Sequence, residues 1–163
     1  MLTEERITKK VKNLIEKDPM PVNPMRIALR ENINVFHADF EFRNIFAIAK
    51  KNKRGVYFYL TANHDQRTQR FILAHLLGHY YLHFSQCKSG QLYCPNRYSS
   101  DVLPKKESEA DWFAYQLLMP DPMVREFILQ NYSVEQMADV FQVSLQRVNV
   151  RLNQMAKENS ETL

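Results

Sequence analysis

The sequence predicts an α+β domain: a small three-stranded antiparallel sheet packed on helices, followed by a helix-turn-helix-like segment. Three observations predict it. Short apolar runs broken by turn residues fill positions 33–62, as strands and hairpins require. From residue 66 onward the apolar residues recur with helical spacing. Only three glycines are present and no glycine-rich phosphate motif occurs, so a nucleotide-binding α/β fold has no support. The 163 residues suffice for one real core with a small appendage, divided here as 1–130 and 131–163. An apolar share of 45% against 25% charged is that of a soluble globular protein, and the net charge of +4 permits nucleic acid or an acidic partner without demanding either.

Each element follows from local pattern. Residues 3–17 place Ile7, Val11, Leu14 and Ile15 on one helical stripe. Three prolines in "DPMPVNP" (18–24) break that helix, and a short second one is expected over 24–32. "INVFHADF" and "NIFAIAKK" read as strands, and "KNKRG" as the hairpin turn into a third, "VYFYLTA". Residues 66–84 form a helix that is apolar on nearly every side, which belongs in the middle of a domain. The polar, aperiodic stretch 85–106 is expected to be a long loop of the lid or binding kind. "ESEADWFAYQLLM" is the next helix, stopped by Pro120 and Pro122, and 123–130 gives a short one. Two further helices, around "SVEQMADVF" and "LQRVNVRLNQMAKEN", flank the turn "QVS", with Ser133 and Ser144 as caps and Gln136 as the capping-box partner of Ser133. In that second helix Arg147 and Arg151 are the candidates for DNA contact. Residues 1–18 hold no apolar core of signal-peptide length, and no later run could span a bilayer, so a cytoplasmic protein is expected. In that compartment Cys87 and Cys94 are expected to be free thiols.

The chemistry concentrates in "RFILAHLLGHYYLH" (70–83). Residues four apart lie one above the other on a helix, so His75 and His79 can aim two imidazoles at one ion. Two satisfied core histidines are the competing reading, but two on one face of a greasy helix need partners, and a metal is an economical one. Gly78 leaves room for a close neighbour. A third ligand is sought in "KESEAD": Glu107 lies nearest the buried face of its helix, and Asp111, one turn on, is placed to accept the outer N–H of a liganding histidine. Glu109 projects from nearly the opposite side.

These two segments together resemble the ImmA/IrrE family of zinc metallopeptidases, whose pattern is roughly R-F-T-x-A-H-E-x-G-H-x-x-x-H, a loop, then E-x-x-A-[ND]-x-F-A-x-x-L-L-M-P. The resemblance implies a zincin-like domain, zinc on His75, His79 and Glu107, a structural role for His83, and a helix-turn-helix transcriptional repressor as the partner that active relatives cut. One position departs. Where the family keeps the glutamate that takes a proton from the attacking water and hands it on, this chain has Leu76. Loss of a general base costs roughly 10²–10⁴ in rate, so hydrolysis is expected to be impaired. Two other readings stay open: a non-catalytic regulator that binds a repressor, and a DNA-binding regulator acting through the C-terminal segment.

Overall fold

The turn "KNKRG" closes as its residues require. Asn52 pairs with Gly55 across a two-residue loop, the Asn52 side chain accepts from the Arg54 N–H at 2.8 Å, and Gly55 takes φ +144°, a value that side chains rarely tolerate. The computed structural model describes residues 3–41, 45–84, 90–95 and 105–161. In chain order its elements are α1 (Glu4–Ile15), α2 (Pro24–Arg30), β1 (Ile33–Ala38), β2 (Ile45–Asn52), β3 (Gly55–Thr61), α3 (Gln66–His79), a π-helical turn (Tyr80–Phe84), β4 (Gly90–Pro95), α4 (Lys105–Leu118), α5 (Asp121–Leu129), α6 (Val134–Phe141) and α7 (Leu145–Glu161).

The α+β class holds, and the sheet differs from the expected one in two respects. It has four strands in the order β1-β3-β2-β4, and β1 runs parallel to β3, with Ile33 opposite Val56 and Ala38 opposite Thr61. Strand periodicity reports which face a residue occupies but not which strand lies alongside. The chain leaves β1, passes over one position to lay down β2, and returns through the hairpin so that β3 fills the gap. The fourth strand lies inside the stretch expected to be loop, and it pairs with β2 from Lys51–Gly90 to Ile45–Pro95 around a bulge. Cys87 lies outside the described residues, as does most of the remainder of that stretch.

One face of the sheet carries Ala47, Ala49, Phe58 and Leu60, all essentially without solvent contact, and α3 packs against it. α4 lies against the other side of α3, and α1 covers α4 through Ile7, Val11 and a hydrogen bond from the Trp112 indole to Thr8 at 3.1 Å. α3 and α4 come close together at Gly78. A Cβ there would stand 2.8 Å from the Ala110 carbonyl oxygen and 2.9 Å from its Cα, so only glycine allows the two helices this spacing.

The C-terminal helices form with the predicted caps: Ser133 and Gln136 make a reciprocal capping box, and Ser144 accepts from the Arg147 N–H. Between them Gln142 adopts a left-handed conformation, φ +55°. Val148 faces inward as expected, but so does Arg151, which is fully buried. Its guanidinium pairs with Asp121, donates to the Met119 carbonyl and lies 5.1 Å from the Trp112 ring. Arg147 is stacked on Phe71 at 3.7 Å and donates to the Tyr115 hydroxyl. Both guanidiniums, the candidates for DNA contact, are engaged in fastening α7 to the body of the protein. Helical spacing had put Arg151 among the polar positions because it cannot show that an aspartate and a tryptophan from α4–α5 wait beneath it. Among the described residues no helix is long and apolar enough to cross a membrane.

Candidate metal centre

α3 begins at Asp65, whose carboxylate caps the Thr68 N–H at 3.0 Å, and from Phe71 to His79 each of its residues is buried. An ordinary core helix of that kind carries hydrocarbon alone. Here it carries His75 at 2% exposure and His79 at 0%, and α4 brings Glu107 and Asp111 against them at 8% each. The close approach at Gly78, one residue before His79, sets the distance over which these groups meet.

They meet at one point. His75 Nε2 and His79 Nε2 are 3.0 Å apart; Glu107 Oε2 is 3.1 Å from the first and Oε1 is 3.1 Å from the second. Behind the first imidazole, His75 Nδ1 is 2.9 Å from Asp111 Oδ1. Behind the second, His79 Nδ1 is 2.9 Å from His83 Nδ1, whose Nε2 is 3.0 Å from Glu109 Oε2.

The outer partners fix where the protons sit. A carboxylate only accepts, so Asp111 accepts a hydrogen bond from His75 Nδ1–H, and Glu109 accepts one from His83 Nε2–H. With the His83 Nε2–H so engaged, its Nδ1 is placed to accept from His79 Nδ1–H. Both inner nitrogens, His75 Nε2 and His79 Nε2, are thereby left with lone pairs that point at each other and at an anionic carboxylate. Three electron-pair donors converging in a buried space repel unless a cation lies among them. This is what separates the arrangement from a pair of satisfied core histidines.

Protonation follows the same logic. Burial pushes His79 down to about 4, in spite of Glu107 beside it, so at neutral pH the ring is the neutral species that ligates metals. Burial alone would raise Glu107, but without a metal a proton on either facing imidazole nitrogen would hydrogen-bond to the carboxylate, and this outweighs burial and holds the carboxyl well below its usual range. The donor set suits a divalent ion, and its spacing can be compared with that of zinc. Zinc takes imidazole nitrogen and carboxylate oxygen at about 2.0–2.2 Å, and tetrahedral placement separates neighbouring donors by roughly 3.3 Å. Three protein ligands leave a fourth position for substrate or water, the pattern of a catalytic rather than a structural site.

The structure thus brings together His75, His79, Glu107 and Asp111, the four residues singled out from the sequence. It also supplies an arm that the sequence reading undervalued. Glu109 is not turned away from the site but holds His83, and His83 holds His79. The histidine spacing carried the signal, since positions 75, 79 and 83 follow one another at four-residue steps. A continuous α-helix was expected through residue 84; instead the last five residues widen into a π-turn, a feature common at functional sites. Leu76, the position after His75, is fully buried among the core residues.

Comparison with known proteins agrees with this geometry. The sequence model of a peptidase family described as IrrE N-terminal-like domain matches residues 28–153, spanning both site helices and most of the C-terminal pair. An uncharacterized immunity region protein 2 of Bacillus phage phi105 is 30% identical over 116 residues, 71% of this chain and 70% of that protein. The metallopeptidase ImmA of Bacillus subtilis (strain 168) is 31% identical over 100 residues, 60% of this chain and 57% of ImmA. A metallopeptidase family implies a divalent metal, and the two imidazoles and one carboxylate described above fit such an ion. On these grounds the chain belongs to the ImmA/IrrE-like metallopeptidase family.

Proposed function

We propose that this protein holds zinc on His75, His79 and Glu107 and recognises a helix-turn-helix transcriptional repressor, with peptide hydrolysis slowed by the leucine at position 76. The observation that carries the metal assignment is the convergence of three lone-pair donors in a buried space, each imidazole backed by its own hydrogen-bonded partner. When bound, zinc would polarise a scissile carbonyl and make water a better nucleophile near neutral pH. The protein's own contribution would be orientation: Asp111 and His83 fix the tautomer and direction of the two rings. What it would lack is a side chain at position 76 able to take a proton. The names of two relatives, an immunity region protein and ImmA, support a role in the control of phage or mobile-element genes. A cytoplasmic location is part of the same proposal.

A second reading, a regulator that controls the repressor by contact alone, is favoured by one observation: Leu76 fills the base position with buried hydrocarbon. One experiment separates the two. The zinc-loaded protein is mixed with the helix-turn-helix protein encoded by the adjacent gene, complex formation is followed by size-exclusion chromatography, and cleavage by gel electrophoresis. A complex with slow, zinc-dependent cleavage supports the peptidase. A complex that persists in His75→Ala, with no cleavage over days, supports the binder. Absence of any complex removes the repressor as partner.

A further inference from the structure

A second pocket, of about 470 Å³, opens beside the first half of α3, between α2, the β1 and β3 strands, and the α6–α7 turn. Val35, Leu60 and Leu73 give it an apolar part of its lining. Arg67, Arg70 and His37 also line it, and among the described residues no carboxylate does.

The two arginines differ in how they are satisfied. Arg67 donates to Asp139 at 2.6 Å and to the Val143 carbonyl at 3.2 Å, which ties α3 to α6 and to the turn after it. Arg70 is half-buried; among the described residues it donates only to the Val22 carbonyl, its Nε is buried with no acceptor, and no carboxylate pairs with it. A guanidinium drawn out of water without a counter-charge is unfavourable, and proteins ordinarily supply an acidic side chain in that position. This fold supplies an open pocket instead, and the Asp139 carboxylate beside it is already held by Arg67.

We propose that this pocket binds a small organic anion, a phosphate or carboxylate on an apolar stem, with the charged end between Arg70 and Arg67 and the stem on Val35, Leu60 and Leu73. Planar guanidiniums match such groups with paired hydrogen bonds. Because Arg67 also holds the α6–α7 turn and α3 continues into His75 and His79, an occupant would touch both the C-terminal helices and the helix of the metal site. The site is independent of the zinc proposal.

The test is a titration of the full-length protein with phenyl phosphate, followed by ¹H–¹⁵N NMR including the arginine Nε–H signals, with sodium chloride at matched ionic strength as control. Saturable shifts at Arg67 and Arg70 are expected, with benzyl alcohol giving none. Gln66 also lines the pocket, near the start of α3, where a carboxylate suits the helix. Gln66→Glu should therefore keep the fold and weaken binding at least fivefold, and Arg70→Gln should weaken it further. His75→Ala should bind as the wild type does. Shifts that chloride reproduces, binding that survives Gln66→Glu unchanged, or binding that disappears in His75→Ala would each overturn the proposal, the last by assigning the anion to the metal centre.

Discussion

Replacing Leu76 with glutamate sets two effects against each other, and the structure gives the scale of both. Leu76 is completely buried on α3, one residue after His75 and packed within the main core. Removing its side chain forfeits roughly 1.5–3 kcal/mol of apolar burial, and a carboxylate brought into the same place is desolvated as well. A cation on His75, His79 and Glu107 would offset part of that cost, so the variant should melt several degrees below the wild type when metal-free and recover part of the loss with zinc. Against this stands the gain in rate. A positioned general base contributes about 10²–10⁴, so cleavage of the adjacent-gene repressor should accelerate by that factor. Cleavage would be measured as the disappearance of intact repressor on gels over time, with melting curves recorded on the same preparations. Leu76→Gln serves as the control: it is polar and of similar size but takes no proton, and it should lose stability without gaining rate. If Leu76→Glu folds, binds zinc and cleaves no faster than wild type, or if Leu76→Gln accelerates equally, the reasoning from the missing base is wrong.

Gly78→Ala would drive a methyl group into the Ala110 backbone, and overpacking of this kind costs about 1–3 kcal/mol; because α4 must retreat with Glu107, calorimetry should show zinc affinity falling along with the melting temperature. His83→Ala removes the partner of His79 Nδ1 and should weaken zinc binding roughly 10–100-fold while Glu107 stays in place, measured by competition with a chromophoric chelator. Arg151→Ala leaves Asp121 without its buried counter-charge and should cost about 3 kcal/mol in chemical denaturation; a variant as stable as the wild type would contradict the fastening role assigned to Arg151.

Most of the candidate metal centre was legible in the sequence because helices turn spacing into geometry. The four-residue step from His75 to His79 and that from Glu107 to Asp111 each specify one face, and an apolar stripe identifies which face is buried. The π-turn at Tyr80–Phe84 was not legible, since no proline or glycine marks it, and with it went the way His83 turns to both His79 and Glu109. The parallel pairing of β1 with β3 was hidden for a different reason: alternation sets the face of each strand, while strand order depends on how the chain crosses the sheet. β4 was missed because "GQLYCP" is too short and too polar to stand out from its surroundings. Arg147 and Arg151 show the same limit in the C-terminal helices. A long cation at a helix surface position reads as solvent-facing, and only the tertiary structure reveals Phe71, Trp112 and Asp121 underneath.

The most direct test of the metal centre is a zinc titration of the chelator-stripped protein by isothermal calorimetry, with the bound metal counted by mass spectrometry. The geometry predicts one zinc per chain, lost in His79→Ala and in Glu107→Ala, and retained at reduced affinity in Asp111→Asn. A folded protein that takes up no zinc, or that binds it equally well without His79 and Glu107, would contradict the assignment.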